Sequence, residues 1–260
     1  MRKELAFFAI PEQSCTYLPE RAAGMLFVDP RADIDTGVYS YLIQHGFRRS
    51  GDYVYRPKCP NCDACVPIRL PVRDFLPRRS QRRNWKANHG LRVQSRKAEF
   101  NDEHYALYER YVKGRHRGGG MDDTSPDQYV DFLANQWGDT RFYEFREGNR
   151  LLAVAVVDHL INALSAVYTF FDPDYRDRGL GVYSILWQIE ESRRLGNEWL
   201  YLGYWIRECR KMAYKDEYRP LEVYRSNRWI RYGPGEEVDT RQDRLRALNV
   251  RLNPYEACRT

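Results

Sequence analysis

The rhythm of apolar and polar positions is clearest in the second half of the chain. "RFYEFRE" (141–147), "LLAVAVVDHL" (151–160) and "ALSAVYTFF" (163–171) are strand-like runs joined by the short turns Gly148-Asn149 and Ile161-Asn162. They predict an antiparallel meander of three strands. After "DPDYRDRGLG", the run "VYSILWQIEESRRLG" puts Val182, Ile185, Leu186 and Ile189 on one helical face, and "WLYLGYWI" predicts another strand. Together they make a β-β-β-α-β unit.

The first half is shorter in its periods. Gly24 to Val28 predicts a short strand, "DIDTGVYSYLIQHGF" a helix opening near Asp33 or Asp35 and closed by Gly46, and "FRRSGDYVYRP" a hairpin turning at Ser50-Gly51. "VPIRLPV" is extended, because Pro67 and Pro71 hold their neighbours out of helical geometry. Ser80 is the expected cap of a basic helix through Asn88 that ends at Gly90, and further helices are expected over 101–113 and 126–136, the latter opening at Ser125-Pro126. "GRHRGGGMDD" between these two helices reads as a glycine-rich loop.

Length allows one large core or two smaller ones. The apolar run Leu5 to Ile10 is cut by Pro11 and Glu12, too short for a signal peptide, and no apolar stretch approaches the ~20 residues that cross a bilayer. No membrane partner is expected, and the compartment is expected to be cytoplasmic. The formal charge of +6 is unevenly spread. Between Arg69 and Lys97 ten basic residues face Asp74 alone, so that segment carries all of the excess. With Tyr53, Trp85 and His89 nearby to stack, it points to a polyanion rather than to a merely solvated face.

Two loops carry candidate chemistry. "RDRGLG", Arg176 to Gly181, lies between a strand and an amphipathic helix, where glycines admit a ligand and the helix N-terminus favours an anion. In that setting it resembles motif A of the GNAT acetyltransferases, which implies a GNAT-like acyltransferase domain, an antiparallel or mixed sheet with flanking helices. "YRPKCPNCDACVPIRL" spaces Cys59, Cys62 and Cys65 three apart. That spacing suits zinc or an iron–sulfur cluster, and equally a packed cluster of reduced thiols; a disulfide fits a cytosolic protein least. The histidines at 45, 89, 104, 116 and 159 form no HxH or HxxxH pair.

"CTYLPERAAGMLFVDP", "YLIQHGFRRSGDYVYRPKCPNCDACVPIRLPV", "PRRSQRR", "RHRGGGMDD" and "YLGYWIRECRKMAYKDEYRPLE", in that order from about Cys15 to about Trp229, resemble the aminoacyl-tRNA–protein transferases, most closely the bacterial aspartate/glutamate leucyltransferases. The resemblance implies leucyl-tRNA as donor, proteins with N-terminal Asp or Glu as acceptors, and degradation of the product, with a protease-adaptor pathway downstream. It implies an α+β architecture: a smaller N-terminal domain (1–97) with the cysteine loop and basic segment, and a GNAT-like aminoacyltransferase domain (98–260). It places a fourth cysteine, Cys15, beside the cysteine loop, completing a candidate metal set; no cofactor is needed for the chemistry itself.

Candidate roles follow. Arg176, Gly179, Leu180, Gly181, Lys211, Tyr214 and Lys215 are assigned to the donor and tRNA end. Arg78, Arg79, Arg82 and Arg83 are divided between the acceptor carboxylate and tRNA phosphates, since a guanidinium suits both. His116 and Tyr204 are candidate catalytic groups, although no nucleophile–histidine–carboxylate set is recognisable. Cys209 and Cys258 are expected to be incidental. An arginyl donor, an acetyl-coenzyme A acetyltransferase and a non-enzymatic RNA-binding module are the alternatives; the acetyltransferase leaves the basic segment and cysteine loop without a role, and the RNA module wastes the glycine loop.

Overall fold

The predicted meander is the centre of a larger sheet, and two strands from the first half of the chain join it. The computed structural model describes residues 4–115 and 125–239. In chain order its elements begin with strands β1 (Phe7–Ala9), β2 (Gln13–Ser14), β3 (Ala22–Ala23) and β4 (Met25–Val28). Helix α1 (Thr36–Gln44), strands β5 (Arg48–Ser50), β6 (Tyr53–Pro57) and β7 (Val66–Pro71), helix α2 (Arg79–Asn88) and strand β8 (Arg92–Lys97) follow. Next come α3 (Asp102–Arg115) and α4 (Pro126–Leu133), the meander β9 (Asp139–Glu147), β10 (Arg150–Leu160) and β11 (Ala163–Phe171), then α5 (Leu180–Arg194) and β12 (Trp199–Trp205). The short α6 (Arg210–Ala213) precedes a terminal hairpin of β13 (Leu221–Arg225) and β14 (Arg228–Tyr232).

Eight strands form one mixed sheet in the order β14-β13-β7-β12-β11-β10-β9-β8, and β1-β4-β6-β5 form a small separate sheet. The fold is thus α+β, with a large mixed sheet and flanking helices. Every pairing in the large sheet is antiparallel except β11 with β12, which helix α5 connects. Relative to a division at residue 97, β7 and β8 come from before it yet hydrogen-bond to strands from after it.

Strand β10 is buried almost throughout, because both faces of the sheet are covered. Ala153, Ala155 and Val157 face a core completed by Tyr183, Leu186 and Ile189 of α5, with Trp85 of α2 packed against it. Val154 and Val156 face the opposite core with Leu107, Tyr108 and Val112 of α3 and Tyr129 and Leu133 of α4. No helix among the described residues is long and apolar enough to cross a membrane.

Capping explains where several helices differ from expectation. Asp35 rather than Asp33 caps α1, accepting from Val38 N at 2.7 Å. Helix α2 starts one residue before Ser80, with the Gln81 side chain accepting from Arg78 N at 2.8 Å. Ser125 and Gln128 cap α4 reciprocally, as the Ser-Pro signal suggests, but α4 stops at Leu133 rather than 136. Its last carbonyls turn outward to Gly51 N (2.9 Å, from Phe132) and Arg49 Nη2 (3.0 Å, from Leu133), so the β5–β6 hairpin ends the helix.

Candidate active site

The parallel pairing of β11 with β12 is short. β11 and β12 are in register from Ala163 to Ser165 against Trp199 to Tyr201, and beyond that no pairing between them continues. The strands part into a fork, and side chains from β5, β6, β12, the turn after α6 and the segment between β2 and β3 gather at it.

Arg48 of β5 enters from the small sheet. Its Nη2 donates to the carbonyls of Ala166 (3.1 Å) and Val167 (2.5 Å) on β11. Gly203 of β12 makes room for it: φ is +72°, and a Cβ there would lie 1.1 Å from Arg48 Nη1. The ladder with β7 shifts register at the same point, between Tyr201 and Gly203. A glycine inside a strand marking a bulge and a close approach is the expected use of that residue.

Lys215 follows α6. It is buried and Nζ donates to the carbonyl of Tyr204 at 2.7 Å. Burial, and then the Arg48 charge, hold its pKa well below the usual lysine value. The Tyr204 hydroxyl donates to the carbonyls of Gly46 (3.0 Å) and Tyr55 (3.4 Å). Burial pushes the pKa of Tyr204 far up, so this hydroxyl is protonated. Tyr55 and Tyr17 complete the surroundings; Arg48 is close enough to lower the pKa of both, against the larger upward effect of burial.

The small sheet leads to this point. Cross-strand register puts Phe8 opposite Phe27, Phe27 opposite Tyr55, and Tyr55 opposite Arg48. One row therefore runs from an exposed phenylalanine at the edge to the guanidinium in the fork, with ring centroids 5.6 Å apart for Phe8–Phe27 and 5.7 Å for Phe27–Tyr55. Arg49, pointing the opposite way, anchors β5. Its side chain is fully buried and grips both Asp158 oxygens of β10 (Nε 2.8 Å, Nη2 2.6 Å) and Thr140 Oγ1 (3.0 Å).

The glycine loop follows β11 and leads into α5. Residues Pro173–Arg178, Arg176 among them, form a 3-10 turn, and Gly179, at φ +63°, is the residue from which α5 departs, with Leu180 buried behind it and Gly181 beside Phe171. Asn84 of α2 donates to the carbonyls of Arg178 (2.9 Å) and Gly179 (3.1 Å), and a Cβ at Gly179 would lie 2.6 Å from its Nδ2. The basic helix is thereby fastened to the loop. Arg78, Arg79, Arg82 and Arg83 all lie exposed on α2. Arg78 bonds Glu217 at 2.5 Å and Arg82 the Pro77 carbonyl at 2.6 Å. Not all of the basic segment is surface: Arg69 is stacked between Trp199 and Trp229, 3.6 and 4.2 Å from the ring centroids, and paired with Glu222. Lys211 and Tyr214 are exposed beyond the C-terminal end of β12, where Trp205 Nε1 donates to the Ala213 carbonyl at 3.1 Å, while Lys215 turns inward.

Cys15, Cys59, Cys62 and Cys65 line one cavity of about 290 Å³, and all four are free thiols. Leu18 N and Gly24 N donate to the sulfurs of Cys15 and Cys59 at 3.4 Å, and Arg21 Nη1 to Cys62 at 3.3 Å. Burial, and then the neighbouring thiols, push Cys65 up to about 12. As placed, no group of three or more His, Cys, Asp or Glu among the described residues is disposed to hold a metal ion. Cys209 is near enough to act on Cys65, Tyr17 and Lys215, which its sequence context did not suggest. His116 with its glycine loop, and Cys258, lie outside the described residues.

The glycine loop, Tyr204 and Lys215 are candidates from the sequence; Arg48, Tyr17, Tyr55 and Gly203 join them only in the structure. The available signal was a glycine between large side chains in "LYLGYWI".

Comparison with known proteins fits this arrangement to a family. The models for the N terminus and C terminus of arginine-tRNA-protein transferase match residues 13–83 and 103–225. The chain belongs to that family. Among curated relatives, the aspartate/glutamate leucyltransferase of Hahella chejuensis is 50% identical over 88% of this chain and 97% of its own length. That of Alcanivorax borkumensis is 53% identical over 86% and 93%. A solved structure of L-PGS from Bacillus licheniformis matches with a TM-score of 0.42 and 10% identity over 54% of this chain and 45% of its own, too distant to carry an argument. Membership makes this protein an enzyme of the aminoacyl-tRNA–protein transferase class.

Proposed function

We propose that this protein transfers leucine from leucyl-tRNA to the N-terminal α-amine of proteins that begin with Asp or Glu. What carries the reading is about 50% identity to proteins bearing that activity in their name, over nearly their whole length. We take the fold as GNAT-like, the fork between β11 and β12 being where the acyl group lies. Exposed Arg79, Arg83 and Lys86, beside the glycine loop, suit tRNA phosphates, and Lys211 and Tyr214 suit the nucleotides next to the ester. Acetyl-coenzyme A as donor and a purely RNA-binding role are not favoured, and leucine is preferred to arginine because the relatives are named for leucine.

The reaction is aminolysis of an activated ester. The acceptor amine attacks the leucyl carbonyl, a peptide bond forms, the ester C–O bond breaks, and the ribose hydroxyl leaves with the proton the amine gives up. An α-amine titrates near pH ~7.7–8.0, so alignment and exclusion of water matter more than a strong base. The aromatic walls and engaged hydroxyl of Tyr204 supply a dry, fixed site. The product carries leucine ahead of its acidic residue, a mark for degradation by a downstream protease and adaptor, and we place the reaction in the cytoplasm. The cysteine cavity takes no part in bond-making; a zinc ion or iron–sulfur cluster there requires its thiols to turn toward a common point.

The test is incubation with leucyl-tRNA, arginyl-tRNA or acetyl-coenzyme A and peptides starting in Asp, Glu or Ala, read by mass. Leucine on the Asp and Glu peptides alone is expected. Arginine, acetyl or no transfer refutes it.

A further inference from the structure

We infer that Arg48, and not the arginines of α2, recognises the acidic side chain of the acceptor. The inference rests on the leucyl-transfer reading above and names the part of the site that selects the substrate.

Chemistry fixes where such a residue must be. In an N-terminal aspartate the α-amine and the carboxymethyl group hang from the same carbon, so whatever binds the carboxylate lies within a side chain's length of the reacting amine. Arg78, Arg79, Arg82 and Arg83 are all exposed, with Arg78 already engaged by Glu217 at 2.5 Å and Arg82 by the Pro77 carbonyl at 2.6 Å. Arg48 is in the fork.

Its own bonding leaves it ready for an anion. Only Nη2 is engaged, by the carbonyls of Ala166 and Val167; Nε and Nη1 have no hydrogen-bond partner among the described residues, and no described carboxylate pairs with it. The neighbouring Arg49 shows the contrast, since Asp158 takes both of its inner nitrogens. The half-buried Arg48 is ringed by Tyr17, Tyr55 and Tyr204, which remain protonated, and by Lys215, so nothing described nearby supplies the negative charge. A guanidinium held by backbone carbonyls, walled by aromatic rings and lacking a counterion attracts a carboxylate more strongly than one in water. Gly203 is the device that lets the guanidinium lie against β12, since any Cβ there would occupy the Nη1 position.

The experiment compares peptides that start in Asp and in the isosteric Asn, with leucyl-tRNA as donor and kcat/KM as readout, in wild type and Arg48→Gln. The wild type is expected to prefer Asp by about 100-fold, the usual scale when a charged partner is lost. In R48Q the ratio of the Asp rate to the Asn rate collapses to about one, and tRNA affinity is unchanged. A preference retained in R48Q overturns the proposal. An equal fall for both peptides also overturns it, because that marks a role at the ester, and a loss of tRNA affinity does so by marking a phosphate contact. Loss of the preference in an Arg82→Gln/Arg83→Gln variant with R48Q unaffected returns recognition to α2. If the wild type leucylates neither peptide, the leucyl-transfer reading itself fails, a distinct result. Should R48Q not fold, the wild type suffices: an Asp-initiated peptide should protect Arg48 from phenylglyoxal, mapped by mass spectrometry, and an Asn-initiated one should not; equal protection overturns the proposal.

Discussion

Replacing Arg49 by Leu removes the anchor that sets Arg48 in place. The guanidinium is fully buried and holds both oxygens of Asp158, Thr140 Oγ1 and the carbonyls of Leu133 and Gly51, so its loss strands a buried carboxylate and the end of α4 together. Breaking a buried pair by removing one partner costs about 3–5 kcal/mol. Spread over the unfolding entropy of a chain this size, that is a fall in Tm of roughly 5–10 °C. Because β5 carries Arg48 on its other face, the rate of leucyl transfer should fall further than the folded fraction alone explains. The assay is thermal unfolding beside transfer kinetics, with R49L, D158L and the double variant compared. The double variant should recover at least a third of the summed loss, since it leaves no unpaired charge. Additive single effects, or an R49L protein with unchanged Tm, would refute the reasoning.

Three further outcomes follow from other parts of the molecule. Gly179→Val meets Asn84 and a φ of +63°, so it should cost about 1–3 kcal/mol in stability and greatly reduce leucyl transfer while tRNA affinity changes little; loss of tRNA binding in the folded variant would count against that division of labour. Removing the charges of Arg79 and Arg83 together should make tRNA binding less sensitive to salt, the slope of log affinity against log salt falling by about one for each phosphate no longer neutralised, and an unchanged slope makes them plain solvated surface. Stability should fall in acid through His104 and Glu144, which bond at 2.8 Å. Burial lowers the His104 pKa from 6.5 against the pull of Glu144, so its contribution is complete above about that pH and fades below it. Burial alone would raise Glu144, but hydrogen bonds from Arg146 and His104 bring it from 4.5 to about 2, so its contribution is lost as pH falls across that interval. Denaturant unfolding against pH should show a shallower acid limb in Glu144→Gln; an identical limb removes the pair from the explanation.

How legible the molecule is depends on the range of each interaction. The meander, α5 and β12 are marked by local alternation and periodicity, and they appear where the pattern puts them. Helix α4 shows the limit: Ser125-Pro126 gives its start, but its end is set by Arg49 and Gly51, more than 80 residues away. Strand β7 reads as extended from its prolines, yet nothing local says that it lies between β12 and β13. β8, β13 and β14 carry no clear local signal, their runs being short, charged and at or near the sheet edges. At the site, "RDRGLG" is legible because glycine and helix signals are contiguous. Arg48 is not, because its meaning comes from Gly203, a residue in another strand that leaves it room. The four cysteines of the expected set do share a cavity, and Cys209 approaches them across the fold, a proximity that no spacing rule contains.

The central claim is that leucyl transfer happens in the fork where β11 and β12 part. It is tested most directly by determining the structure with an analogue of leucyl-tRNA in which an amide replaces the 3′ ester. The leucyl carbonyl is expected between β11 and β12, beside Gly203, with the tRNA acceptor end along the glycine loop and α2. A leucyl group seated in the cysteine cavity, or on the face of α2 away from the fork, would contradict it.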